Sequence, residues 1–351
     1  MRSLATTVYV SNAEDGDISV YGLGAAGELR PAGRVPLGGP VMPLAVSPDR
    51  RFLYAAVRSK PFAVHAFAIE RQSGALKPLG RAPLPESCPY ISLDQTGRTL
   101  FGASYGGHLV CTSPVGADGR VGEPRQVIPV GRNAHAIRVD ATNRFVFVPC
   151  LGTDQIFQFT FDAASGRLAS NTPAVCQMKP GSGPRHFVIS RDNRFLYALS
   201  ELQATVTIFS LDSEKGLLAE VGTCAGLPAD SKLRPGAPRG PDAPPRDRSS
   251  DVWAADVRLS LDGRFLYTSE RTSNSLHAFS VEGATLAYLG STPTETQPRG
   301  FALDPGGKYL VASGEKSPTL SVHTIENGRL GERRQFAGGK GANWVEIVAS
   351  I

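Results

Sequence analysis

Cysteine is scarce and unpaired in this chain. Five occur in 351 residues, at positions 88, 111, 150, 176 and 224, an odd number with no C-x-x-C spacing. That pattern argues against a disulfide framework or a thiolate zinc site and predicts free, buried thiols in a reducing compartment. Long apolar runs are missing too. Nothing approaches the roughly 20 residues of a membrane span, and the opening MRSLATTVYV has one Arg and no long apolar stretch before strand-like sequence begins. No membrane partner or export signal is read from it, and a cytoplasmic location is expected. Neither sign of charge dominates, with 37 Lys and Arg against 32 Asp and Glu. They are scattered, without lysine-rich blocks or aromatic-basic stripes, so nucleic acid is not an expected partner. There is no G-x-S-x-G elbow, H-E-x-x-H or P-loop, and GLGAAGEL at 22–29 falls in a strand turn with no helix after it, so it is not a dinucleotide fingerprint. No metal or cofactor is expected.

What the chain does have is a recurring phrase. SPDRRFLYAAV (47–57), DQTGRTLFGAS (94–104), DATNRFVFVPC (140–150), SRDNRFLYALS (190–200), SLDGRFLYTSE (260–270) and DPGGKYLVASG (304–314) each join a turn built on Asp, Asn or Gly to an apolar and aromatic run. This is a strand-turn-strand signature. Aligning Tyr9, Tyr54, Phe101, Phe147, Tyr197, Tyr267 and Val311 gives seven units at a spacing near 46, broken by one step of 70. Each unit continues into a third strand, such as TVTIFSL or SLHAFSV, and through a glycine turn into a fourth, with almost no helical period anywhere. Four short strands repeated at this interval predict an all-β, seven-bladed β-propeller with four antiparallel strands per blade, a single domain over 1–351.

The first unit lacks its first strand, and an orphan strand, NWVEIVASI, closes the sequence at 343–351. The prediction is that this strand completes blade 1 and shuts the ring. The long step comes from GLPADSKLRPGAPRGPDAPPRDRSS (226–250), rich in Pro and Gly. It reads as a mobile surface insertion, with a flap over the functional face as the alternative.

In a propeller the blade-to-blade connections and the loops between second and third strands surround the channel on one face. Arg58, His135, Arg185, His186, Glu201, Trp253, Arg271, Arg299 and Lys316 all fall in those two loop sets. Several cations, a carboxylate and imidazoles converging from different blades make a candidate site for an anionic small molecule. Glu201 would polarise water or orient an imidazole, while His135 or His186, expected near neutral pKa, would shuttle the proton. Arg185 and Arg271 would hold a carboxylate, a phosphate or the oxyanion formed when a carbonyl is attacked. Which of His135, His186 and Glu201 takes the proton stays open.

GPRH (183–186), SEL (200–202), WAAD (253–256), LYTSERT (266–272), PTETQPRGF (293–301) and GEKS (314–317) resemble the bacterial cycloisomerase-type 6-phosphogluconolactonases, a family that includes the fungal carboxy-muconate lactonising enzyme. The resemblance runs the full chain. It implies a metal-independent hydrolase that opens 6-phospho-glucono-1,5-lactone in the pentose phosphate route, with His135, Arg185, Glu201 and Arg271 as the catalytic set. Arg58, His186, Trp253, Arg299 and Lys316 would bind substrate. The chain departs from the family at TDQI (153–156), where relatives often carry a basic residue, and in the long insertion. An unphosphorylated sugar lactone, a muconate-type cycloisomerisation and a non-catalytic scaffold are the alternatives. The expected assembly is a monomer or a weak homo-oligomer.

Overall fold

The computed structural model describes residues 6–239 and 245–349. Residues 240–244 of the insertion and 350–351 of the predicted closing strand lie outside them, as do 1–5. The described chain forms seven four-stranded antiparallel sheets. The sheets neighbour one another in cyclic order through their inner strands, around a central channel. Blade 1 is built from Ala342–Ala349, Thr6–Asn12, Asp17–Leu23 and Leu29–Pro36. Its first strand is therefore the last in sequence, paired antiparallel with Thr6–Asn12, as the orphan strand predicted. Blades 2 to 7 begin at Val41, Tyr90, Arg138, Pro184, Ala254 and Pro298. Among the described residues the one helical segment is a 3₁₀ turn at Leu151–Thr153, and no helix is long and apolar enough to cross a membrane.

The recurring phrase does two physical jobs. Its polar half builds the tight turn between first and second strands, on the far side of the ring from the candidate site. Asp140 Oδ1 accepts from the backbone N–H of Arg144 at 2.9 Å and of Phe145 at 3.0 Å, and Asn143 takes the left-handed φ of 61° that the turn needs. Asn193, in the matching turn of the next blade, donates to Asp140 Oδ2 at 2.8 Å, and Asn143 to Asp94 Oδ2 at 3.0 Å. Its apolar half is core: Tyr9, Tyr54, Phe101, Phe147, Tyr197, Tyr267 and Val311 are all buried between blades.

The glycine of the outer turn wedges blade against blade. Gly216 in blade 5 has φ +66°, and a Cβ there would stand 2.0 Å from the Phe145 ring of blade 4. The same contact crosses the closure, where Gly27 of blade 1 lies against Tyr309 of blade 7. All five cysteines are free. Cys88, Cys111 and Cys150 are buried as predicted, whereas Cys176 and Cys224 are only half-buried because they sit toward the ends of outer, fourth strands.

Candidate active site

Two backbone devices aim side chains into the channel. The first is a β-bulge at the mouth of the first strand. In blade 5, Pro184 pairs with Ser200 and His186 with Leu199, leaving Arg185 as the extra residue. In blade 7, Pro298 pairs with Gly314 and Gly300 with Ser313, leaving Arg299. A bulged residue is turned out of the ladder and re-aimed, which explains why GPRH and QPRG carry arginines there. The second device places the residue directly after the second strand. Its N–H donates to the loop entering the first strand: Glu201 to Gly183, Arg271 to Trp253, Glu315 to Gln297 and Arg58 to Pro40.

These devices assemble a buried ionic cluster. Arg185 is fully buried, and its Nε donates to Glu201 Oε2 at 2.7 Å. Arg271 Nη2 donates to the same oxygen at 2.9 Å, so one carboxylate oxygen joins cations from two blades. Such a pair forms because the Coulombic gain and charge-assisted hydrogen bonds offset desolvation. Arg271 is fixed further by the Trp253 and Ala254 carbonyls, at 3.0 and 3.1 Å, and lies 3.7 Å above the Trp253 ring. Arg185 Nη1 also donates to the Ala255 carbonyl. Burial, then the neighbouring cations, hold the Arg185 guanidinium below its ordinary pKa range; burial does the same to Arg271.

The histidines complete the cluster. Asp256 Oδ1 is 2.8 Å from His186 Nδ1. A carboxylate only accepts, so Nδ1 carries the proton and Nε2 is left to accept from Arg185 Nη1, 3.2 Å away. Asp256 Oδ2 in turn accepts from Arg258 Nε at 3.0 Å. Burial pushes Asp256 up, but Arg258 and His186 outweigh it and hold this carboxyl well below its usual range. The His135 ring packs edge-on against His186, with centroids 5.1 Å apart, and against Tyr105 at 5.6 Å. Beyond Arg258 the channel opens on the opposite face into a cavity of about 220 Å³ lined by Tyr90, Arg138, Trp344 and Glu346.

Several sequence expectations change here. His135 and His186 were expected near neutral pKa. Burial first, then the charge of Arg185, lowers His186 to about 3 and His135 well below its ordinary value, so both are neutral imidazoles at pH 7. Arg299 reaches the cluster's edge, 3.6 Å from Glu315 and 3.2 Å from the Met42 sulfur. Arg58 is exposed along its stem, though burial of its head and then the charge of Arg299 lower its pKa. Lys316 is not brought in: it is exposed and pairs with Glu14 at 3.1 Å. The residue of that loop that faces the channel is Glu315, one position earlier, in register with Glu201 and Arg271. Among the described residues no group of three or more His, Cys, Asp or Glu could hold a metal.

Four residues escaped the sequence reading. Glu315 and Tyr105 occupy the same repeat position as Glu201, a register that could have found them. Asp256 lies in the WAAD motif without having been given a role. Arg239 comes from the insertion, where the repeat offers no register. The flanks of that insertion are tied down: Gly236 N–H donates to the Leu202 carbonyl at 2.8 Å, Val252 N–H to Arg234 at 2.9 Å, and Arg239 lies 3.7 Å over the Trp253 ring.

Seven closed blades with a cation-rich, carboxylate-bridged cluster at one end of the channel define a propeller with a polar site for a small molecule. The family model described as Lactonase, 7-bladed beta-propeller, matches residues 5–347, and this chain belongs to that family. It is 38% identical over 346 residues to a 6-phosphogluconolactonase of Pectobacterium carotovorum, covering 97% of this chain and 98% of that protein. It is 37% identical to a 6-phosphogluconolactonase of Klebsiella pneumoniae, covering 98% and 99%. Among solved structures, the periplasmic gluconolactonase of Pseudomonas aeruginosa superposes with a TM-score of 0.87 at 26% identity, over 99% of both chains.

Proposed function

We propose that this protein hydrolyses 6-phospho-glucono-1,5-lactone to 6-phosphogluconate in the cytoplasm, with His135, Arg185, Glu201 and Arg271 as its catalytic set. The carrying observation is that the cluster holds donors and acceptors with nothing to bind. Among the described residues, Arg185 Nη2, His135 Nδ1 and Arg299 Nε are buried without a hydrogen-bond partner. Buried polar atoms are rarely left unpaired, and three in one cluster support a place for a polar substrate.

In this reading the C1 carbonyl of the lactone lies against Arg185. Water adds to C1, the carbonyl π electrons move to oxygen, and the oxyanion is stabilised by the guanidinium N–H donors. His135, kept neutral by burial and by Arg185, accepts the water proton. Collapse of the tetrahedral intermediate breaks the bond from C1 to the ring oxygen, which takes the proton back from His135, so one water is consumed and one hydroxy acid formed. Glu201, engaged by both arginines, sets their geometry. His186 and Asp256 hold Arg185 from the other side. Arg299 and Trp253 line the substrate's approach, and Arg58 adds positive charge at the rim. Lys316 has no part in it.

The test is ring opening of 6-phosphogluconolactone and of free glucono-1,5-lactone, with spontaneous hydrolysis subtracted. Enzyme-dependent rates on the phosphorylated substrate are expected. Rates equal to background on both lactones would rule out the assignment.

A further inference from the structure

We propose that Arg239, carried in by the insertion between blades 5 and 6, grips the phosphate of a 6-phosphorylated lactone and sets this protein's preference for phosphorylated over free sugar lactones. The proposal rests on the lactonase reading above and adds a residue that the repeat does not supply.

The geometry begins at Trp253. Arg239 Cζ lies 3.7 Å from the ring centroid, and Arg271 Cζ lies 3.7 Å from the same ring. Two guanidiniums directly over one ring cannot share a face, so the indole is sandwiched between them. Arg271 binds Glu201 on the inner side; Arg239 is therefore one indole layer further out. Its backbone is fixed there. The Tyr105 hydroxyl donates to the Arg239 carbonyl at 2.8 Å, and Gly236 N–H donates to the Leu202 carbonyl at 2.8 Å. Tyr105 belongs to blade 3 and packs on His135, so the segment reaches across the mouth of the funnel toward the catalytic cluster.

Arg239 differs from its neighbours in what it holds. Arg185 and Arg271 share Glu201, and Arg258 has Asp256. Arg239 is half-buried, and among the described residues its guanidinium makes no ion pair or hydrogen bond. Stacking fixes the plane of a guanidinium and leaves its N–H donors free in that plane, the arrangement suited to bidentate phosphate binding. A neutral sugar hydroxyl would leave that charge unmatched. In the 1,5-lactone C1 and C5 flank the ring oxygen and C6 hangs from C5, so a molecule with its carbonyl on the inner arginines sets its C6 phosphate beside them, where a cation one indole layer away can meet it. Burial and the nearby Arg248 oppose the charge on Arg239 more than the carboxylates of Glu201, Asp251 and Glu270 support it, and a bound dianion would tip that balance back.

The experiment compares kcat/KM of the full chain on 6-phosphogluconolactone and on glucono-1,5-lactone, for wild type, Arg239→Ala and Arg239→Lys, each checked for an unchanged melting profile. The ratio of phosphorylated to free substrate is expected to fall at least tenfold in Arg239→Ala, chiefly through KM, and to recover in part in Arg239→Lys. An unchanged ratio, or an equal fall on both substrates, overturns the proposal. Calorimetric binding of 6-phosphogluconate and gluconate separates this from the lactonase reading. If wild type hydrolyses neither lactone, that reading fails, yet weaker binding of 6-phosphogluconate alone in Arg239→Ala still upholds the phosphate role. No binding to wild type, or equal binding to both proteins, overturns it.

Discussion

Replacing Glu201 by Gln probes the centre of the site with the smallest change in shape. One carboxylate oxygen serves Arg185 Nε at 2.7 Å and Arg271 Nη2 at 2.9 Å, and all three side chains are buried. The amide keeps one acceptor but loses the charge, and its NH₂ group cannot face either donor. Breaking a buried pair in this way costs about 3–5 kcal/mol. Because the Gln carbonyl oxygen can stand in, uncharged and weaker, for the one oxygen that both arginines share, the lower end, about 3 kcal/mol, is expected, or a fall in Tm of about 4 °C for a domain of this size. Without the carboxylate the guanidiniums also lose their geometry for the oxyanion, and losing such a donor lowers kcat by about 100- to 1,000-fold. The assay is background-subtracted hydrolysis of 6-phosphogluconolactone by Glu201→Gln, with Glu201→Asp beside it, whose shorter arm cannot reach both arginines. A folded Glu201→Gln protein with kcat/KM within threefold of wild type would refute the role given to this carboxylate.

Three other outcomes follow from the same geometry. Asp256→Asn offers one acceptor where His186 Nδ1–H and Arg258 Nε–H both need one, so kcat should fall about 100-fold with little change in KM. Asp256→Glu should restore part of it, and equal losses in both variants would mark a purely structural role. Stability should fall between pH 6.5 and 4. His186 at about 3 and His277 and His323 at about 4 are neutral in the fold and protonate first in the unfolded chain. Folded pKa values below the unfolded one give stability that is complete above pH 6.5 and lost on acidification, at about 1.4 kcal/mol per unit for each group. Urea midpoints at pH 7, 5.5 and 4 check this, and a flat profile contradicts it. Gly216→Ala, whose Cβ meets the Phe145 ring, should cost about 3 kcal/mol, while Gly263→Ala, at a similar φ but with open space, should cost about 1 kcal/mol in denaturant titrations.

The propeller was legible because every blade spells its turn and its core strand in nearly the same words, and register residues such as Tyr54 and Tyr267 mark equivalent buried positions. The site was legible to the extent that it obeys the same repeat. Arg185, Glu201 and Arg271 were found through loop position, and Glu315 would have been found by holding the register to the first residue past the second strand. Lys316 misled because a cation beside that position looked as suitable as the carboxylate on it. The histidine pKa values were misjudged because loop residues are usually wet, and depth in the channel follows from the closed ring. Arg239 was out of reach, since a Pro-rich insertion has no periodicity to say where one of its side chains lands.

The closing strand has a consequence for how the molecule is made. Ser11 and Asn343 touch across 332 residues of sequence, and until their strands meet, blade 1 offers a raw ladder of backbone donors and acceptors to any chain nearby. The danger of sticking to its own kind is therefore concentrated in the nearly finished hoop, and fastening the clasp removes it.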